Sequence, residues 1–131
     1  MQRLWRALAR SRPRPGQAGE ELACSHLRHE GFEIVERNYR CRSGELDVVA
    51  RDGDVTVFVE VKQRRDSSYG EGYEAVTFGK RRRVVRAARL YAASHDLEEQ
   101  PMRFDVVSVD VDGQGDVRIR HDRGAFDADA R

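Results

Sequence analysis

Residues 45–62, ELDVVARDGDVTVFVEVK, decide the fold. Val48, Val49, Val55, Val57, Val59 and Val61 supply β-branched mass on both sides of Asp52-Gly53, a strong hairpin signal. The pattern predicts two antiparallel strands joined by a tight turn. Alternation puts Glu45 and Asp47 on one side of their strand, and Glu60 and Lys62 together on the next. Carboxylates and one ammonium then converge at one end of an otherwise apolar sheet. A plain structural hairpin has no need of that.

Outward from the hairpin, residues 17–30 read as a helix. Ala18, Leu22 and Leu27 give the apolar spacing, and Gly31 is a good C-terminal stop. Glu20 and Glu21 lie in its first turns, where the helix dipole alone accounts for them. Residues 32–40, FEIVERNYR, alternate as a strand, with Phe32, Ile34 and Glu36 on one face and Val35, Arg37 and Tyr39 on the other. A turn at 41–44 leads into the hairpin, which completes a three-strand meander. Residues 63–77 form a polar, glycine-containing loop of the length at which loops become functional. Its Tyr69 and Tyr73 are weak candidates for base stacking.

Thr77 is placed to cap a helix running to about Ser94, with Val84, Ala88 and Tyr91 as its buried stripe. Lys80 lies on the inward stripe near the helix N-terminus, where the dipole disfavours a cation. A carboxylate or phosphate nearby would offset that. Arg82, Arg86 and Arg89 share another face and have no acid on the helix, which favours phosphate contact over a merely solvated surface. Residues 104–111 form a fourth strand, expected to lie parallel to an earlier one after the helical crossover. Residues 116–121 form a short fifth, and 122–131 a loose tail. The order α-β-β-β-α-β-β gives an α/β domain with a central mixed β-sheet flanked by helices. Residues 1–16 are expected to be a flexible basic arm, 17–126 the domain and 127–131 a tail.

The 131 residues suit one domain, and the net charge of +1 excludes little. Distribution is more telling: residues 1–16 hold five arginines and no acid, and residues 80–89 hold Lys80 and five arginines, again with no acid. Such local basic surface suits a polyanion, with nucleic acid the expected partner. Only Lys62 and Lys80 are lysine among 24 basic residues, and Asn38 is the sole asparagine. A lysine that survives so strong an arginine bias points to a need for a compact, tunable ammonium. Cys24 and Cys41 match no metal-ligand spacing and no disulfide framework, which suits a reduced cytoplasmic setting. No apolar run has the length of a membrane span, and the N-terminus lacks a signal-peptide core, so no membrane partner is expected.

Clustered carboxylates repel unless a cation lies between them, and a few hard oxygen ligands suit Mg²⁺ or Mn²⁺. With a lysine beside such an ion and basic surface nearby, phosphodiester hydrolysis is the natural reaction class. Cross-strand Glu–Lys pairs on an exposed strand face are the competing explanation, and spacing alone leaves the two about even.

Further motifs add to this. GELD at 44–47, FVEVKQR at 58–64, the lone Lys80 and RFDVV at 103–107 resemble the YraN family of small bacterial proteins. EELA at 20–23, RNYR at 37–40 and Ala125-Phe126 also fit its pattern. The resemblance runs from about residue 19 to 126. It implies a restriction-endonuclease-like core of the PD-(D/E)xK type, similar to archaeal Holliday junction resolvases. It further implies that Asp47 and Glu60 ligate the metal with help from the Val61 carbonyl. Lys62 would position the attacking water, and Glu20 would be an additional acid. Glu45 would be an outer group. Gln63 stands where the family type has a small hydroxyl residue; it keeps hydrogen-bonding capacity towards nucleic acid. The implied activity is metal-dependent cleavage of DNA, structured or branched. A non-catalytic nucleic-acid-binding or processing accessory protein is the alternative, and a protein-interaction module using the sheet edge is a weaker third. Cutting both strands of a junction would call for a homodimer.

Overall fold

The computed structural model describes residues 2–6, 17–65 and 78–128. Its elements are β1 (Gln2–Arg6), α1 (Gln17–His29), β2 (Glu33–Cys41), β3 (Gly44–Asp52), β4 (Val55–Arg65), α2 (Phe78–Ser94), β5 (Met102–Val111) and β6 (Asp116–Phe126). They form one six-stranded sheet in the order β1-β6-β5-β4-β3-β2. β2, β3 and β4 are the antiparallel meander, and α2 carries the chain over to β5, which runs parallel to β4. The sheet is therefore mixed and flanked by helices, and from α1 onward the elements follow the expected order α-β-β-β-α-β-β.

Two apolar layers sandwich the sheet. On the α1 face, Ala23, Cys24 and Leu27 pack on Val48, Ala50, Val57, Val59, Val107 and Ile119. On the other, Val84, Val85, Ala88 and Tyr91 of α2 cover Leu46, Val49, Phe58, Phe104, Val106 and Phe126. Both faces of the central strands are buried, which explains the near-continuous valine run of β4. α1 ends as its glycine predicts. Gly31 takes a φ of 94°, its N–H bonds to the Arg28 carbonyl, and the Phe32 N–H reaches back to Leu27.

The structure corrects three expectations. Residues 2–6 are not a free arm: they pair antiparallel with β6, from Gln2↔Arg120 to Arg6↔Asp116. This covers an edge that would otherwise expose unpaired backbone groups. The last strand runs on to Phe126 instead of stopping at His121, because Phe126 stacks on Phe104 at 5.1 Å and Gly124 donates its N–H to Asp105. The alternation expected of β2 fails at Val35, which falls in a register shift between Ile34 and Glu36 and is exposed. Thr77, Tyr69 and Tyr73 lie outside the described residues.

Candidate functional site

The site forms where the central hairpin opens. β3 and β4 pair from Asp52↔Val55 as far as Val48↔Val59, and the ladder stops there. Strict alternation would put Leu46 on the same face as Val48, but Leu46 packs with Val49 on the α2 face. The strand therefore turns over at Asp47. Across from it, between the pairs Arg37↔Val48 and Tyr39↔Leu46, stands Asn38 with a φ of 56°. A left-handed residue lets β2 turn over with its neighbour, and asparagine tolerates that conformation better than most.

The Asp47 carboxylate enters the gap left by the broken ladder. Its Oδ2 accepts the Val61 N–H at 2.8 Å, which satisfies a donor that β3 backbone would otherwise take. Its neighbour is Glu60, whose side chain is 3% exposed. Burial, with the Glu60 charge next, pushes the Asp47 carboxyl up to about 7, while the Val61 N–H and Lys80 pull the other way. Lys80, from the first turn of α2, places its Nζ 2.5 Å from Glu60 Oε1. This is the carboxylate that its position near a helix N-terminus demanded. Burial works to lower the Lys80 pKa, but the hydrogen bond and charge of Glu60 outweigh it, and the ammonium is held above its ordinary range. Lys62 is half-buried and falls on the same side of β4 as Glu60.

The remaining predicted residues are placed as follows. Glu20 binds β2, accepting from Asn38 Nδ2 at 2.9 Å and Arg37 Nε at 3.3 Å, so α1 is tied to the residue opposite Asp47. Glu45 pairs with Arg40 at 3.6 Å on the surface. Gln63 lies on the α1 side with its amide under Gly19: a Cβ there would come within 2.6 Å of Gln63 Oε1. It is thus turned away from Glu60. Arg82, Arg86 and Arg89 are exposed along α2, Arg82 over the Phe78 ring and Arg89 near the Ala128 carbonyl. Asp47, Glu60 and Lys80 therefore converge, with Lys62 on their side of the sheet.

Asp47 and Glu60 are the side chains here that could hold a hard divalent cation. Among the described residues no three His, Cys, Asp or Glu side chains gather to hold a metal. Two carboxylates and the adjacent Val61 carbonyl are what Mg²⁺ or Mn²⁺, which retain several waters, would use. The Asp47 carboxyl is raised by burial first and by the Glu60 charge second, and a cation would offset both.

A second polar cluster escaped the sequence. Asp105, fully buried, accepts from Arg103 Nε at 2.8 Å, His121 Nε2 at 2.8 Å and the Gly124 N–H at 3.0 Å. Burial would raise its pKa, but these three donors offset that and hold the carboxyl below its ordinary range. Arg103 continues to Asp52 at the hairpin turn. An aspartate set between Phe104 and Val106 in a strand core was the available signal. Its role is to lock β5, β6 and the hairpin end together.

The model of the uncharacterised protein family UPF0102 matches residues 19–109. Among individual proteins, the chain is 49% identical over 113 residues to a UPF0102 protein of Parafrankia sp. (strain EAN1pec), covering 86% of this chain and 96% of that protein. It is 57% identical over 94 residues to one of Nocardia farcinica, covering 72% and 74%. Among solved structures it is similar to Pyrococcus furiosus SfsA in complex with Ca²⁺, at 16% identity and a TM-score of 0.41. That likeness covers 83% of this chain and 62% of that one.

Proposed function

The chain belongs to the uncharacterised protein family UPF0102, and on that footing we propose that it is a metal-dependent nuclease-like protein that hydrolyses phosphodiester bonds in DNA, with structured or branched DNA the favoured substrate. The observation that carries this is the convergence of Asp47, Glu60 and Lys80 where β3 and β4 part. Ordinary strand pairing would avoid crowding two carboxylates, and a site that handles a cation and a phosphate needs it.

Asp47 and Glu60, with the Val61 carbonyl, would hold Mg²⁺ or Mn²⁺. Such an ion supplies Lewis-acid stabilisation of charge developing on the phosphoryl oxygens. Asp47 is fixed by the Val61 N–H, so its carboxylate is preorganised. Lys62 would orient the attacking water or steady the transition-state charge. Lys80 holds Glu60 in place and keeps positive charge at the phosphate side. Glu20, bound to Asn38, would act by positioning the β2 residue opposite Asp47. The exposed Arg82, Arg86 and Arg89 would contact flanking phosphates. Both cysteines are free thiols, which suits a cytoplasmic setting.

A non-catalytic nucleic-acid-binding role is favoured by one observation, the Lys80 ammonium already seated on Glu60. The two separate by assay. Purified protein, Glu60→Ala and Lys62→Ala are incubated with branched, single-stranded and duplex DNA in Mg²⁺ or Mn²⁺. Metal-dependent cleavage lost in both variants is the expected result. Equal DNA binding by all three proteins with no cleavage by any would leave the binding role.

A further inference from the structure

A cleft of about 400 Å³ opens beside the carboxylates, between the β2–β3 turn and the start of α2. Its walls include Arg40, Arg42, Arg83, Lys80, Cys41 and Glu45. Four cations thus face one acid, and that acid is already paired with Arg40 at the surface. Arg42 and Arg83 are exposed and form no ion pair among the described residues. Lys80 is shared: the same residue that holds Glu60 lines the cleft, so the two compartments adjoin. The walls are also brought together tightly. A Cβ on Gly44 would stand 2.7 Å from the Arg83 carbonyl oxygen, so only glycine lets the turn lie this close to α2.

We propose that this cleft is a strand subsite that takes a backbone phosphate of nucleic acid next to the one presented to Asp47 and Glu60, with Arg42 and Arg83 as its phosphate contacts. The proposal rests on the nuclease-like function above and names where the substrate strand enters. Its volume lies at the small end of ligand sites and suits about one nucleotide unit. Planar guanidinium groups suit phosphate oxygens bidentately. The surplus of positive charge excludes a free cation as occupant. None of Arg40, Arg42 and Arg83 stands out in the sequence as a site residue, because the turn and the helix that make the cleft lie about 40 positions apart.

Cys41 provides a reporter. It lies in the cleft wall, half-buried, with Sγ donating to the Gly44 carbonyl at 3.3 Å. The other thiol, Cys24, is fully buried, and burial pushes its pKa up, so it reacts slowly. Full-length protein in EDTA, which prevents hydrolysis, is treated with iodoacetamide, and Cys41 alkylation is followed by peptide mass. A short single-stranded oligonucleotide at ten times its Kd from fluorescence anisotropy should slow Cys41 labelling about tenfold, as the free fraction falls. The double variant Arg42→Ala, Arg83→Ala should lose that protection. Its slope of log K against log salt should flatten by about 0.7 for each phosphate contact removed. DNA that binds by anisotropy but leaves Cys41 labelling unchanged overturns the subsite and leaves the nuclease-like function standing. Inorganic phosphate that protects as well as the oligonucleotide at equal concentration also overturns it, making the cleft a small-anion pocket. Protection without cleavage in Mg²⁺ or Mn²⁺ keeps the subsite and removes the catalytic function. Absence of any DNA binding removes both.

Discussion

Asp47 carries the electrostatic conflict of the site. Its carboxyl stands at about 7 in the folded chain against an ordinary 3.8, raised by burial and then by Glu60. Between those values the folded state holds a proton that the unfolded state has lost, so stability falls as pH rises through the window and stays lower above it. Asp47→Asn keeps an acceptor for the Val61 N–H and removes the charge. In metal-free protein the variant should match wild type near pH 4 and exceed it at pH 8 by on the order of 2 kcal/mol, read from urea midpoints. A gap of equal size at both pH values would show that Asp47 does not titrate as described. At this scale the sequence was informative about type and silent about contact. It marked Lys62 and Lys80 by their rarity and asked for a carboxylate at Lys80, which Glu60 supplies. Alternation along the uninterrupted β4 already turns Gln63 away from Glu60 and Lys62, but it could not show that the amide lies under Gly19 of α1.

At the scale of elements, the site depends on two departures from regular structure. β2 and β3 both turn over at Asn38 and Asp47, and the β2–β3 turn rests against α2 through Gly44. Gly44→Ala should push the turn off the Arg83 backbone and loosen the α2 first turn that delivers Lys80. The expected loss is about 1–3 kcal/mol in chemical denaturation, typical of overpacking a tight contact. An unchanged midpoint would mean that the two segments are not pressed together. The central meander, both helices and the parallel β5 were legible because each carries a long periodic signal with a glycine or turn at its end. The register shift at Val35 was not, because one extra residue in a strand leaves no mark in composition. Nor was the extension of β6, where Asp122, Arg123 and Gly124 look like a tail until Asp105 supplies the partner.

At the scale of the whole molecule, six strands and two helices among the described residues place the polar site midway along β4, where β3 leaves it, with the apolar layers closed behind it. β1 completes the sheet at the β6 edge. Removing residues 1–6 uncovers that edge and should produce concentration-dependent self-association by light scattering, with the domain still folded. A truncated chain that stays monodisperse at high concentration would show that β6 needs no cover. No helix among the described residues is long and apolar enough to cross a membrane. The central claim is that the parted β3–β4 hairpin is a divalent-cation site serving phosphodiester chemistry. Mn²⁺ titration followed by electron paramagnetic resonance tests it most directly. Saturable binding that is lost in Asp47→Asn and in Glu60→Gln but kept in Arg42→Ala is predicted; no bound Mn²⁺ in the wild-type chain, or binding indifferent to both carboxylate substitutions, would contradict it.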